Sequence, residues 1–249
     1  LGAISLASSP SLPPPSPPPL ALPFFPPPPS VPPPLTLSGL VAWWRLDSSA
    51  GLGSSVGSAP TLVLEAGRGA IVGDYLQCGV RSSTAGCAAA AYDASSGLPT
   101  GDAPRTLSWW MRLPASPTPD GGVIGYGVPG SRSPFAYSLF SGGKATIEMW
   151  GPTLSDSDTS ITPTLGSAAF EHFATVYDGA GSVRFYKNGV ASANTMSVTS
   201  AATVASGQLA VGSEVDGNEG VEGDFSDVQI YDSALDAGGI GLLHSLGRL

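Results

Sequence analysis

From about Leu35 onward, apolar residues fall into short stretches separated by Gly, Asp, Asn and Ser, and within several stretches they alternate with polar ones. Across residues 106–113, Leu107, Trp109, Met111 and Leu113 share one face while Thr106, Ser108, Trp110 and Arg112 share the other, which is the period of a half-buried strand. Residues 144–150 alternate as well. Residues 170–177 and 182–186 flank the turn sequence Asp178-Gly179-Ala180-Gly181, and Asn188-Gly189 supplies the pair that tolerates positive φ in a tight hairpin. Residues 208–212 and 225–231 predict two further strands. Only residues 234–246 read as a helical turn, and Gly238, Gly239 and Gly241 weaken it. With no helix-length periodic segment between strands, a βαβ sheet is excluded, and residues 38–249 predict an all-β, antiparallel sandwich.

Residues 1–37 have a different texture. Between Pro10 and Pro34, fifteen of twenty-five residues are proline and the others are Ser, Leu, Ala, Phe or Val. Proline sets φ near the polyproline II value, removes the amide donor and pushes each preceding residue into an extended conformation, so the segment predicts a stiff rod. At about 3.1 Å per residue it would reach roughly 75–80 Å, longer than a domain of this size is wide. Leu20, Leu22, Phe24 and Phe25 interrupt the rod with apolar groups that would be exposed, and they predict a docking patch for another subunit.

Charge narrows the partners. Ten basic residues against nineteen acidic ones leave a net charge of −9, which argues against nucleic acid or an anionic membrane as partner. No apolar run approaches the ~20 residues of a spanning helix. A chain that opens on Leu1 fits a processed secreted protein and a truncated one equally. Cys78 and Cys87, nine positions apart in a small-residue loop, read as a local disulfide made in an oxidising compartment or as two buried thiols.

The order of segments resembles a known family. Leu40-Val41-Ala42-Trp43-Trp44-Arg45-Leu46-Asp47 looks like the opening strand of the laminin-G-like, concanavalin-A-like jelly rolls, and Thr106-Leu107-Ser108-Trp109-Trp110-Met111-Arg112, His172-Phe173-Ala174-Thr175-Val176-Tyr177-Asp178-Gly179, Val183-Arg184-Phe185-Tyr186-Lys187-Asn188-Gly189-Val190 and Gly223-Asp224-Phe225-Ser226-Asp227-Val228-Gln229-Ile230-Tyr231 follow in that family's order. The resemblance covers residues 38–246 and implies two curved antiparallel sheets in a jelly roll, a fold shared by lectins, adhesion modules, glycosidases and inert spacers. It also implies a structural calcium ion near Asp227, at the family's usual acidic position, with Asp47 at the end of the opening strand. The rod in turn resembles the Ser-Pro segments of hydroxyproline-rich glycoproteins of plant and green-algal walls and flagellar hairs. That resemblance implies O-glycans on hydroxylated Pro13, Pro14, Pro15, Pro17, Pro18, Pro19, Pro26, Pro27, Pro28, Pro29, Pro32, Pro33 and Pro34, and on Ser9, Ser11, Ser16 and Ser30.

Candidate chemistry is sparse. With His172, expected at a strand surface, and His244 as the only histidines, no catalytic triad or zinc cluster is arguable. Glu214-Val215-Asp216-Gly217-Asn218-Glu219 has the Glu-x-Asp-x-x-Glu spacing of jelly-roll glucanases, but Gly217-Asn218 would break the strand that such spacing needs, and Glu222, Asp224 and Asp227 extend it into an acidic loop. The expectation is therefore an extracellular structural glycoprotein without enzymatic activity, whose rod docks on neighbouring copies in a cell-surface or wall filament. The alternative is a carbohydrate-binding module on a stalk, with polysaccharide as partner and a platform drawn from Trp43, Trp44, Trp109, Trp110 and Trp150, where alternation turns one ring of each adjacent pair outward.

Overall fold

The computed structural model describes residues 38–79, 86–116, 121–128, 135–140, 144–148, 157–158, 160–198 and 205–249. These belong to a unit spanning Leu37–Leu249. The proline-rich segment lies outside the described residues, and so do the docking and glycosylation positions within it.

In chain order the strands are Leu40–Trp44 (β1), Val63–Leu64 (β2), Gly69–Val72 (β3), Tyr75–Cys78 (β4), Ala88–Tyr92 (β5), Arg105–Arg112 (β6), Gly121–Gly127 (β7), Phe135–Phe140 (β8), Lys144–Glu148 (β9), Ser157–Asp158 (β10), Glu171–Tyr177 (β11), Ser182–Lys187 (β12), Val190–Ser197 (β13), Gly207–Val211 (β14) and Gly223–Tyr231 (β15); a helix, Ala237–Leu246 (α1), follows. They form two antiparallel sheets. One runs β13-β12-β11-β6-β15-β4-β3, with β1 also paired to β15, and the other runs β10-β9-β8-β7-β14-β5-β2. The predicted sandwich is therefore the observed one.

The core is built by alternation on both sheets. Trp44, Leu107, Trp109, Met111, Phe173 and Phe225 from the first sheet meet Ile124, Tyr126, Tyr137, Leu209 and Val211 from the second, all buried. Trp109 sits at the centre, its ring 4.8 Å from that of Tyr137 and 5.9 Å from that of Phe173. The thiols of Cys78 and Cys87 are joined in a disulfide, which ties the end of β4 in one sheet to the residue before β5 in the other. Gly212 passes this bridge at φ +73°, and a Cβ there would lie 2.6 Å from Cys78 Sγ, so no other residue fits.

The helix is longer than its glycines lead one to expect. The Asp236 carboxylate caps it by accepting the Gly239 N–H at 2.8 Å. Ile240 and Leu243 then bury against Ala174, Val176, Tyr186 and Tyr231 on the outer face of the first sheet, and this packing outweighs a propensity deficit of about 1 kcal/mol per glycine. Among the described residues no helix is long and apolar enough to cross a membrane.

Candidate functional site

Away from the apolar patch under α1, the outer face of the first sheet carries polar residues of β6 and β15. β6 presents Thr106, Ser108, Trp110 and Arg112 there, and β15 runs beside it in a register that sets Asp224 opposite Arg112 and Ser226 opposite Trp110. Arg112 Nε donates to Asp224 Oδ2 at 2.6 Å, and Nη1 donates to the Ala168 carbonyl at 3.1 Å. The Asp224 carboxylate raises the guanidinium pKa, so Arg112 stays a cation. Its flat face lies 4.8 Å from the ring centre of Tyr75 on β4 and 4.7 Å from that of Phe170, just before β11.

Beside this ion pair opens a cleft of about 740 Å³. Gln77, Arg112, Ser167, Glu222 and Asp224 contribute its polar groups, Leu113 and Pro114 part of its apolar wall, and Cys78 of the disulfide part of its lining. Arg112 and Asp224 keep 27% and 15% of their side-chain surface open to solvent, so both can still meet a ligand. A cation, two carboxylates, an amide and a hydroxyl beside aromatic rings make a surface that can donate to and accept from a ring of hydroxyls while stacking on its apolar side.

Among the described residues the tryptophans do not form the expected platform. Trp44 and Trp109 are fully buried, and Trp43 and Trp110 turn outward as alternation requires, but both outward rings are engaged. Trp43 donates from Nε1 to Asp227 Oδ1 at 3.1 Å with the Arg45 guanidinium 5.9 Å from its ring. Trp110 is flanked by His172 at 5.2 Å and His244 at 5.8 Å. Trp150 lies outside the described residues.

His172 is not at a strand surface: it is 0% exposed, beside His244 of α1. Burial, reinforced by His244, lowers its pKa to about 3, so the ring is neutral. Its Nε2 lies 2.9 Å from Ser108 Oγ, Nδ1 has no hydrogen-bond partner, and both side chains are buried.

Glu214, Asp216 and Glu219 lie in the loop between β14 and β15, where strand alternation cannot place two of them on one face. Glu214 is buried, Asp216 accepts from Asn218 N and Nδ2, and Glu219 takes φ +42°. Asp47 and Asp227 are filled from within the protein. Asp47 Oδ1 accepts from Ser49 N, Ser49 Oγ and Ala50 N, and Oδ2 pairs with Arg45 at 2.9 Å. These donors hold its pKa down. Asp227 sits at φ +48° on a β15 bulge and accepts from Trp43 Nε1, Ser226 Oγ and Leu249 N, while burial pushes its pKa up. A calcium ion needs free carboxylate lone pairs, and this donor set does not fit one. Among the described residues no three His, Cys, Asp or Glu side chains gather at one point.

The sequence pattern located Arg112 only as one of an outward row, and it passed over Tyr75, Gln77 and Phe170. The one available signal was the alternation of β6, which names the face but not what the neighbouring strands bring to it.

Comparison with known proteins places the fold. A laminin-G-type family described as the concanavalin A-like lectin/glucanases superfamily matches residues 85–241. No curated protein matches the chain by sequence. Domain 4 of AbnA, an extracellular arabinanase from Geobacillus stearothermophilus solved in complex with arabinotriose, superposes with a TM-score of 0.62 at 19% identity, covering 83% of this chain and 98% of that one. The binding domain of botulinum neurotoxin serotype G gives 0.61 at 10% identity over 83% and 51%, and the SAP-like pentraxin of Limulus polyphemus 0.51 at 17% over 70% and 82%.

Proposed function

The chain belongs to the concanavalin A-like lectin/glucanases superfamily, and from that premise we propose that it is a secreted glycan-binding module carried on a proline-rich stalk. The observation that carries this reading is the open cleft at the Arg112–Asp224 pair, with aromatic rings under the guanidinium and hydrogen-bonding groups of both kinds around it. Glu222 and Asp224 outnumber Arg112 in the cleft, so the ligand is a neutral saccharide, and uronic or sialylated chains are repelled. Arabinotriose in AbnA domain 4 makes short arabinan chains a sensible first probe. Secretion is supported by the disulfide, a bond characteristic of oxidising compartments.

In its finer form the reading includes assembly. Sugars on the Ser-Pro segment of one copy would enter the cleft of the next, and such head-to-tail contacts propagate into a filament unless they close into a ring. The composition of residues 10–34 supports this form.

Isothermal titration of neutral and acidic oligosaccharides tests the core claim. Neutral binding that is lost in Arg112→Ala supports the reading, and equal affinity for neutral and acidic chains, or no binding at all, overturns it. The assembly form is tested by mass spectrometry of the tryptic peptide 1–45 for hydroxyl and pentose increments, together with light scattering before and after enzymatic removal of the sugars. A bare peptide or an unchanged size removes it.

A further inference from the structure

Arg112, which lines the cleft, also belongs to a cluster of two rings and two guanidiniums that glycan binding at Arg112 does not exhaust. Tyr75 and Phe170 lie 5.7 Å apart with their planes at 56°. Arg112 touches both, so it belongs to the cleft and to the cluster alike. The second cation, Arg248, comes from the residues beyond α1 and lies only 3.7 Å from the centre of Phe170, covering the ring.

The two cations are held unequally. Arg112 pairs with an Asp224 that is 15% exposed, whereas Arg248 pairs at 2.8 Å with the side chain of Asp74, which is 76% exposed, and donates to the Asp74 carbonyl at 2.6 Å. An ion pair with one partner so open to water contributes little and is screened by salt. Arg248 Nε has no partner, and the neighbouring anchor is one hydrogen bond, from Leu249 N to Asp227 Oδ2 at 3.2 Å. Arg248, itself 22% exposed, is thus a flat group resting on an aromatic face and held through a carboxylate that is open to water. A sugar ring has a similar flat outline, with C–H groups on one face and hydroxyls at the rim, and the cleft on the other side of Arg112 supplies Gln77 and Asp224 as polar partners.

Building on the glycan-binding reading, we infer that Tyr75 and Phe170 form a second saccharide subsite, continuous with the Arg112 cleft, in which Arg248 is the resident occupant that a longer oligosaccharide displaces. The cleft takes the first units of a chain, and the later units compete with Arg248 for the Phe170 ring. Affinity therefore rises with chain length only once the ligand reaches that ring, and it rises further when Arg248 is absent.

The test is titration of the full chain with a ladder of neutral arabinan oligosaccharides from mono- to pentasaccharide. Arg248→Ala is expected to bind the pentasaccharide about fivefold tighter than the wild type, the equivalent of about 1 kcal/mol, with no change for the monosaccharide. Raising salt from about 50 mM to about 500 mM should tighten pentasaccharide binding by the wild type and leave the variant unmoved. Asp74→Ala, which frees Arg248 without altering the residues beyond α1, should reproduce the gain if Arg248→Ala folds poorly. Equal or weaker pentasaccharide binding by variants that melt like the wild type overturns the subsite. If at the same time the wild type binds and Arg112→Ala does not, only the subsite falls and the glycan reading stands. If no member of the ladder binds any of these proteins, both fall.

Discussion

Strand β6 begins and ends with an arginine, and the two ends have opposite fates. Arg105 is fully buried: Nε donates to the Ala103 carbonyl at 3.1 Å, Nη1 to the Pro99 carbonyl and the Tyr126 hydroxyl at 3.2 Å each, and Nη2 to the Gly101 carbonyl, with the rings of Phe135 and Tyr177 each 5.5 Å away. Arg112, seven residues later, projects from the other face, and its partners are a carboxylate and two half-buried rings beside an open cleft. One guanidinium has spent its donors on holding the loop that precedes β6; the other retains surface for a ligand. A charged side chain marks a site only where its hydrogen-bonding capacity is not already consumed by the fold.

Removing the two arginines should separate these roles. Arg105→Ala removes the donors to the Gly101 and Ala103 carbonyls and to the Tyr126 hydroxyl and leaves a cavity between aromatic rings, so urea denaturation should show a loss of about 3–5 kcal/mol. An Arg105→Ala protein as stable as the wild type would erase the distinction between the two arginines. The disulfide ranks next and belongs to the Arg112 end, since Cys78 lines the cleft. Closing a loop of this length stabilises by about 2–3 kcal/mol. Replacing both cysteines with serine should therefore lower the unfolding free energy by that amount and also weaken saccharide binding, which Arg105→Ala in its folded fraction should not.

Between the two ends His172 is buried beneath the partly exposed rings of Trp110 and His244, and it sets a pH dependence. His172 has a folded pKa of about 3 against an ordinary 6.5, so the unfolded chain binds the extra proton first. Stability from its burial is complete above about pH 6.5 and declines as pH falls toward about 3, at about 1.4 kcal/mol per unit. Denaturation at about pH 5 should accordingly show a loss of about 2 kcal/mol relative to neutral pH, and His172→Phe should flatten that slope. The smallest effect on stability is expected at the open end. Arg112→Ala should cost about 1 kcal/mol or less in unfolding while reducing saccharide affinity about tenfold or more.

Much of the fold is legible along the chain because alternation is a local property. β6, β11 and β12 carry large apolar or branched residues at every second position, β15 does so on either side of its bulge at Asp227, and the tight turn at Asn188-Gly189 appears as read, at φ +50° and +78°. β5 and β7 escape the same reading because Ala88–Tyr92 and Gly121–Gly127 are built of alanine and glycine, which carry little contrast between faces. Alternation also placed Trp44 and Trp109 inside and Trp43 and Trp110 outside, yet it gave no hint that Asp227 and the two histidines would occupy the outward rings.

By itself, then, the sequence determined the class of fold, the direction in which each β6 side chain points and the pairing of its two cysteines as one of two readings, because each depends on residues close together in the chain. Only the tertiary structure decided which charges stay available. Arg112 and Asp224 stand 112 positions apart and meet through strand register, Tyr75 and Phe170 arrive from two other elements, and Arg248 returns from beyond the helix. Register is selected by the whole buried face at once, so a one-residue slip of β6, β15 or β4 would send Arg112, Asp224 or Tyr75 to the opposite side of the sheet.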